Sequence, residues 1–250
     1  MGGVARRATE IKAEKSNNKN VLVLDAGNSL VGDRDPGQKT QGGSGIEAMN
    51  RMGYDAMALG AQDLTLGPAA LKQRIAEAKF AILSANAVDA KTKELIGQPY
   101  VIREIGGHQV AIIGLSGVGN QDTVTVRDPI EAARATVGEL AGKADVIIVL
   151  SHAGAETDQK IADMVQGIDV IVGSGSGLLP DPWKSTVTGT LRWQADSGSQ
   201  GHAGRNVGIG QLKIDGSGKV VDNNWRRQLM GPDVTGDPDM SAWVAGVSKE

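Results

Sequence analysis

Short, wholly apolar runs alternate with amphipathic helical patterns along most of this chain. The first helical pattern places Val4, Ala8 and Ile11 on one face, and it ends before an apolar run at residues 21–24. Similar runs occur at residues 56–59, 80–83 and 146–150, and residues 168–172 match them except for Asp169. A strand without a polar face has to be covered on both sides, so these runs predict a sheet buried between layers. The alternation therefore predicts a layered α/β domain.

Capping residues and prolines predict where the helices begin, and a change of pattern sets the C-terminal third apart. Ser44 followed by Glu47 fits a capping box, and Pro68 and Asp128 stand where helices are expected to begin. After about residue 183 the pattern changes to alternating segments broken by glycines, at residues 185–193, 206–214 and 219–228. Such segments predict antiparallel strands, and Asp237 is expected to open a closing helix.

Composition excludes several classes of function. The 250 residues carry a formal net charge of −3, which gives no electrostatic reason to expect binding to nucleic acid or to an anionic membrane. There is no cysteine, so disulfide frameworks, thiolate metal sites and cysteine nucleophiles are excluded. No apolar run approaches the roughly 18 residues that a transmembrane helix needs. Aromatic residues make up 3% of the chain and glycines number 35, which predicts an aliphatic core with many tight turns.

Polar and glycine-rich segments follow four of the predicted strands, at residues 25–28, 60–63, 151–154 and 173–177. Ligands usually bind at these ends of an open α/β sheet. The order and spacing of the segments resemble the catalytic domain of the 5'-nucleotidase branch of the calcineurin-like metallophosphoesterases. The matching stretches occur in family order at residues 2–6, 21–28, 47–60, 83–86, 146–154 and 168–173. The resemblance implies a layered αββα sandwich of the metallophosphoesterase type, with a β-rich C-terminal third.

The resemblance also predicts the domain organisation. Residues 1–230 are expected to form the metallophosphoesterase-like domain, and residues 231–250 a C-terminal linker helix. The family's first strand precedes residue 2 in this pattern, and its nucleotidase C-terminal domain follows the closing helix, so both are expected to be absent. A missing interior strand leaves backbone groups unpaired unless something replaces it. Three explanations stay open: a truncated gene product, a sheet closed by another route, or a strand supplied by another polypeptide.

The family holds two divalent metal ions, such as zinc or manganese, with Asp, Asn and His side chains at these strand ends. The ions activate a water and stabilise charge on phosphate oxygens. This chain departs from that pattern in most of its loops. Asn28 occupies the position of the family's bridging aspartate. Ala61 replaces the ligand asparagine, and Gln62 replaces the catalytic histidine. Gly175 and Gly177 stand for the two histidines of the family's GGHSH loop.

His152 is the one ligand position of the family that this chain retains. One neutral imidazole does not hold a divalent cation against water, and the carboxamide of Asn28 cannot offset two cations as a carboxylate does. We therefore expect a degenerate site with no cofactor, in a non-catalytic domain that serves as a structural or binding subunit of a larger assembly. The alternative is a divergent metal-dependent phosphoric ester hydrolase that uses His152 and Asp63 with groups from elsewhere. Small-anion binding at these loops without turnover also stays open.

Other candidate side chains have simpler explanations. His108 lies in a Gly-Gly turn and is expected to be solvated, and His202 lies in a glycine-rich loop that reaches the strand ends only if it folds inward. Asp33 and Asp35 precede a Pro-Gly pair, which is typical of a solvated turn rather than a general acid–base pair. Residues 174–177 lack the Lys-Ser or Lys-Thr pair of a phosphate-binding P-loop.

We expect another protein chain as partner, and neither nucleic acid nor a transmembrane segment. Completion of the sheet by this partner is one of the three open explanations. The N-terminal residues carry no apolar core of a secretion signal. Members of this branch are mostly exported, so the resemblance implies the periplasm or the cell surface. If Met1 is the native start, the protein stays in the cytoplasm.

Overall fold

The fold consists of two β-sheets packed face to face, with helices on both outer sides. The computed structural model describes residues 3–32, 36–117, 122–177, 182–196 and 204–247. In this part of the chain the helices are α1 (Val4–Asn17), α2 (Gly43–Met52), a 3₁₀ helix (Asp63–Leu66), α3 (Gly67–Glu77), α4 (Pro129–Leu140), α5 (Ala155–Met164) and α6 (Pro238–Val247). The strands are β1 (Leu24–Asp25), β2 (Ala56–Ala58), β3 (Ala81–Leu83), β4 (Ala87–Asp89), β5 (Tyr100–Ile105), β6 (His108–Leu115), β7 (Val124–Val126), β8 (Val146–Ser151), β9 (Val170–Gly173), β10 (Trp183–Lys184), β11 (Leu191–Trp193), β12 (Asn206–Ile214) and β13 (Val220–Leu229).

The larger sheet has six strands in the order β10-β11-β9-β8-β6-β5. Its central pairs are parallel, and the two outer pairs are antiparallel. The smaller sheet has three parallel strands in the order β1-β2-β3. β12 and β13 form a long antiparallel hairpin, and β4 pairs with β7. Among the described residues, no helix is long and apolar enough to cross a membrane.

Neighbouring residues of the buried strands face different layers. In β2, Ala56 and Ala58 lie between the two sheets, whereas Met57 packs among residues of α1, α2 and α3. In β6, Ile112 faces the other sheet and Ile113 contacts the layer formed by α4 and α5. The layers therefore follow the order helix, sheet, sheet, helix. The predicted αββα sandwich with a strand-rich C-terminal third is confirmed.

The first and last helices pack side by side in one outer layer. The hydroxyl of Thr9 in α1 donates to the carbonyl oxygen of Thr235 at 2.8 Å, and Lys12 forms an ion pair of 2.5 Å with Asp237. Asp237 also accepts the N–H of Met240 at 2.9 Å, which caps α6 as expected. Met240 is buried in the same apolar cluster as the inner face of α1. The closing helix therefore adds to the core of this layer.

The helix starts are only partly as predicted. Asp128 caps α4, since its Oδ1 accepts two N–H groups of the first turn. The capping box expected at Ser44 and Glu47 is wrong, because the N-cap of α2 is Gly42, which supplies no side-chain cap. The hydroxyl of Thr40 accepts the N–H of Ser44 at 3.1 Å instead.

Two predicted strands are shorter than expected. The segment 185–193 contains only β11 at its end, because the hydroxyl of Ser185 accepts two backbone N–H groups and turns the chain. β1 is shorter than the apolar run at residues 21–24. Among the described strands it pairs only with β2, and the N–H of Val23 donates to the side chain of Asp55 at 2.7 Å rather than to a neighbouring strand.

Two tryptophans and two glycines dock the β12–β13 hairpin on the larger sheet. Trp193 of β11 stacks on Trp225 of β13, with ring centroids 5.2 Å apart and ring planes at 11°. Both glycines lie in β12, directly against these rings. A Cβ atom at Gly208 would lie 2.0 Å from the Trp225 ring, and one at Gly210 would lie 2.3 Å from the Trp193 ring. The close approach of the hairpin therefore requires glycine at both positions.

Replacing Gly210 with valine is expected to destabilise the protein by about 1–3 kcal/mol, because the new side chain has to displace the Trp193 ring. Urea unfolding measures the loss, and near-UV circular dichroism reports the ring pair. Gly216→Ala is the matched control in the same hairpin, since a Cβ there meets no atom within 4 Å. Equal losses in both variants, or an unchanged spectrum for Gly210→Val, would contradict this account of the docking.

Candidate functional site

Four loops meet where β1, β2, β8 and β9 end. The ring Nδ1 of His152, which follows β8, lies 3.0 Å from the carbonyl oxygen of Ala26, which follows β1. Gly27 packs against the loop after β2, where its Cβ would lie 2.8 Å from Gly60 N. Gly175, after β9, packs against the backbone of His152, where its Cβ would lie 2.9 Å from the carbonyl oxygen. These contacts join the two sheets at one edge of the sandwich.

Asn28 ties the first two loops together through its side chain. Its backbone has a φ of 63°, in the left-handed region that asparagine tolerates better than most residues. Its Oδ1 accepts the N–H of Gln62 at 2.8 Å. Gly60 has to be glycine, since a Cβ there would lie 2.2 Å from that oxygen. The carboxamide oxygen of Asn28 is therefore already hydrogen-bonded to the loop that follows β2. Ala61 of that loop contributes only a methyl group.

Asp63 is fully buried and fastens the same two loops. Its Oδ2 accepts the N–H groups of Asn28 at 2.7 Å and Gly60 at 2.9 Å, and its Oδ1 accepts that of Leu30 at 3.0 Å. Burial raises the pKa of Asp63 to about 6, although the three N–H donors act in the opposite direction. Both oxygens are directed at backbone groups, so this carboxylate acts as a structural tie.

His152 is buried, and one of its ring nitrogens is committed to the fold. Because the carbonyl oxygen of Ala26 can only accept, Nδ1 carries the proton and Nε2 keeps a lone pair. Burial lowers the pKa of His152, whereas the Ala26 carbonyl and the Asp25 carboxylate raise it. The imidazole is therefore neutral at pH 7 and offers one nitrogen donor.

The loop after β9 approaches α5 through backbone atoms. Gly175 and Gly177 have φ values of 85° and 80°, which favour glycine. The carbonyl oxygen of Ser176 accepts the N–H of Ala155 at 2.8 Å, at the start of α5. A Cβ at Gly177 would lie 3.1 Å from the Cβ of Ala155. The two positions that carry histidines in the family thus serve close packing here.

A buried ion pair lies behind this loop, and sequence patterns did not single it out. Arg192 Nε donates to Asp158 Oδ2 at 2.9 Å, and the hydroxyl of Ser151 donates to Oδ1 at 2.5 Å. A Cβ at Gly173 would lie 2.5 Å from Asp158 Oδ2. Burial raises the pKa of Asp158 to about 6, against the opposing effects of Arg192 and Ser151. One signal was available, since Asp158 stands three residues before Ile161 on the apolar face of α5.

Two further charged groups lie near these loops, and sequence patterns assigned them no role. The carboxylate of Asp25 raises the pKa values of His152, Asp63 and Arg7, although burial has the larger effect on the first two. Arg7 of α1 therefore lies in the same region as the strand-end loops. Its position four residues before Ile11, on the apolar face of α1, is the signal that could have found it.

The remaining sequence candidates are not part of this constellation. His108 begins β6, at the opposite end of the sheet, and its Nδ1 lies 3.9 Å from a carboxylate oxygen of Asp145. His202, Asp33 and Asp35 lie outside the described residues.

The donor atoms at the strand ends do not fit a two-metal centre. Across the described ranges, no group of three or more His, Cys, Asp or Glu side chains could hold a metal ion. The loops offer the imidazole of His152, an engaged carboxamide at Asn28 and two glycines. No catalytic step through metal ions follows from these residues.

Comparisons with known proteins place the chain among phosphoesterases, although no family model matches it. It is 32% identical to the snake venom 5'-nucleotidase of Gloydius brevicauda over 278 residues, which cover 97% of this chain and 45% of the relative. The 5'-nucleotidase precursor of Thermus thermophilus superposes with a TM-score of 0.83 at 29% identity, over 99% of this chain and 53% of that one. The calcineurin-like phosphoesterase YfkN of Bacillus subtilis superposes with a TM-score of 0.82 at 25% identity, over 99% and 89%. The chain spans about half the length of the curated relatives it matches.

These comparisons correct the prediction about cofactors. 5'-Nucleotidases and calcineurin-like phosphoesterases are metal-dependent enzymes, so the prediction of no cofactor for a chain of this kind is wrong. The predicted family is confirmed by the sequence identity over nearly the whole chain and by the shared layered fold. The chain belongs to the 5'-nucleotidase branch of the calcineurin-like metallophosphoesterase superfamily.

Proposed function

We propose that this chain is a non-catalytic domain of the 5'-nucleotidase family that serves as a structural or binding subunit of a larger assembly. The observation that carries the proposal is which side chains lie at the strand ends and what they bind. Asn28 uses its carboxamide oxygen to bind the backbone of Gln62, and Gly175 and Gly177 bring no side chain. Phosphoryl chemistry needs groups that position a water and stabilise charge on phosphate oxygens. The described loops use their polar side chains to hold one another.

Two strand edges that have no neighbour among the described residues support a binding role. In the described part of the chain, β1 pairs only with β2, and β12 pairs only with β13. Leu24 of β1 and Leu212 and Ile214 of β12 are half-buried, and all three pack against the cluster between the two sheets. Unpaired edges beside an apolar core suit an added strand, which gains backbone hydrogen bonds and apolar contacts together. The partner in this proposal is another polypeptide that contributes such a strand.

We also propose that the protein is exported to the periplasm or the cell surface. The relative from Gloydius brevicauda is a venom protein, and the solved relative from Thermus thermophilus is described as a precursor. Both descriptions support a place outside the cytoplasm.

The purified chain is expected to hydrolyse 5'-AMP and p-nitrophenyl phosphate no faster than a buffer blank, with Zn²⁺ or Mn²⁺ added. The physical reason is that the described strand ends supply one imidazole and no free carboxylate to the reacting groups. Release of inorganic phosphate measures the outcome.

His152→Ala and His108→Ala serve as the matched pair for this assay, since only the first histidine lies at the strand ends. Neither substitution should change the background rate. Metal-dependent turnover that His152→Ala abolishes and His108→Ala preserves would overturn the proposal. It would support the alternative, a divergent metal-dependent phosphoric ester hydrolase.

A further inference from the structure

Arg7 is a half-buried arginine whose guanidinium has few protein partners. It stands on the apolar face of α1, four residues before the buried Ile11. Its one hydrogen bond to the described residues runs from Nη1 to the Tyr54 hydroxyl, and 3.4 Å is long for such a bond. Gly204 covers the group on another side, since a Cβ there would lie 2.8 Å from Nη2. Most of the N–H donors of Arg7 therefore have no acceptor among the described residues.

Two other arginines with buried side chains are paired with carboxylates. Arg74 bonds to Glu77 at 2.8 Å, and Arg192 bonds to Asp158 at 2.9 Å. Within the described ranges, no carboxylate oxygen lies within the 4 Å of an ion pair with Arg7. Among the described residues, the buried side-chain nitrogens without a partner belong to Arg74, Arg192 and Trp193. The N–H donors of the half-buried Arg7 therefore still reach solvent and are open to a ligand.

Asp25 is near Arg7 but is committed elsewhere. The contact with Tyr54 raises the pKa of Arg7, burial lowers it, and the Asp25 carboxylate raises it again. Asp25 itself accepts the N–H of Gly27 at 2.9 Å and the hydroxyl of Ser29 at 2.8 Å, one with each oxygen. Asp25 therefore attracts the charge of Arg7, but its two oxygens accept hydrogen bonds from Gly27 and Ser29 rather than from the guanidinium.

We propose that Arg7 binds an oxyanion beside the carboxyl end of β1. Guanidinium groups bind carboxylates and phosphates with paired hydrogen bonds, and Arg7 has N–H donors to offer beyond its one bond to Tyr54. The anion is either a small free one, such as phosphate, or the carboxylate of an acidic side chain brought by another polypeptide. Anion binding by Arg7 does not depend on whether the domain is catalytic.

Thermal unfolding in phosphate, acetate and chloride at equal ionic strength tests the inference. When the bound anion exceeds its Kd about ten-fold, the Tm of the wild type is expected to rise by about 3–5 °C over chloride. Arg7→Met is expected to show no such rise. Arg134→Met, which removes an exposed arginine of α4, is the matched control and should respond like the wild type. A rise with phosphate only assigns a phosphate-type anion, and a rise with acetate assigns a carboxylate.

Absence of an anion-specific rise in the wild type, or an equal rise in Arg7→Met, would overturn the proposal. If Arg7→Met does not fold, the wild type still decides the question by NMR. The Nε–H signal of Arg7 should shift on addition of the anion and not of chloride. A signal that stays in place for both phosphate and acetate would count against the site.

Discussion

At pH 8, replacing Arg192 with methionine is expected to lower the free energy of unfolding by about 3–5 kcal/mol, because the carboxylate of Asp158 is then buried without its cation. The Asp158 side chain has no exposed surface, and that of Arg192 is 2% exposed. The hydroxyl of Ser151 is the remaining side-chain donor to the carboxylate. Urea unfolding of both proteins at fixed ionic strength measures the loss.

The same loss should shrink at pH 5. The folded pKa of Asp158, about 6, lies above the ordinary value of 3.8, so the folded state holds this proton more tightly than the unfolded chain does. The stability that comes from this proton is complete below pH 3.8 and is lost as the pH rises through about 6. Arg192 lowers the pKa of Asp158 in the wild type. Removing Arg192 therefore raises this pKa and extends upward the pH range in which Asp158 is neutral. At pH 5 the variant buries a neutral acid rather than a charge.

A double variant tests whether the loss of stability comes from the unpaired charge of Asp158. Asp158→Leu combined with Arg192→Met removes both charges, and its stability at pH 8 should return most of the way to that of the wild type. Arg134→Met is the exposed control, with an expected change within about 0.5 kcal/mol. A loss in Arg192→Met that does not depend on pH, or a double variant no more stable than the single one, would contradict this account.

Asp63→Ala is expected to destabilise the protein by about 3–5 kcal/mol, since it leaves the N–H groups of Asn28, Leu30 and Gly60 without their acceptor. Urea unfolding at pH 7 measures the effect on stability. Amide exchange at the same three residues should accelerate more than exchange in the centre of the larger sheet.

Asp55→Ala is the matched control for this substitution. Asp55 also joins the loops of the smaller sheet, but its carboxylate accepts a single backbone N–H, that of Val23, at 2.7 Å. Its removal should cost about 1 kcal/mol. Similar losses in the two variants would mean that the three hydrogen bonds of Asp63 do not set its contribution.

Much of the fold could be predicted because its signals are local. Apolar runs and helical periodicity both depend on residues within a few positions, and they predict the four layers. Ser185 shows where such signals fail: its hydroxyl ends a strand that an alternating pattern would continue. Thr40 shows the same for helices, since it caps α2 from outside the motif that predicts the cap.

The candidate site was predictable only in part. The resemblance identifies which loops lack the family's side chains, because each loop is a short stretch in a fixed order. It does not show that the oxygen of Asn28 accepts from Gln62, a contact between residues 34 positions apart that depends on the left-handed backbone at Asn28. The pairing of Asp158 with Arg192 likewise joins two elements that no local pattern connects.

The packing of α1 against α6 bears on the order of events during synthesis. Thr9 and Thr235 are separated by 226 positions, yet they are hydrogen-bonded in the finished fold. On the ribosome, α1 emerges well before the residues that cover it, including Met240. Contacts of such sequence separation form late and slow the folding of a domain. The apolar face of α1 thus has to stay protected from aggregation until Met240 and its neighbours in α6 have been translated.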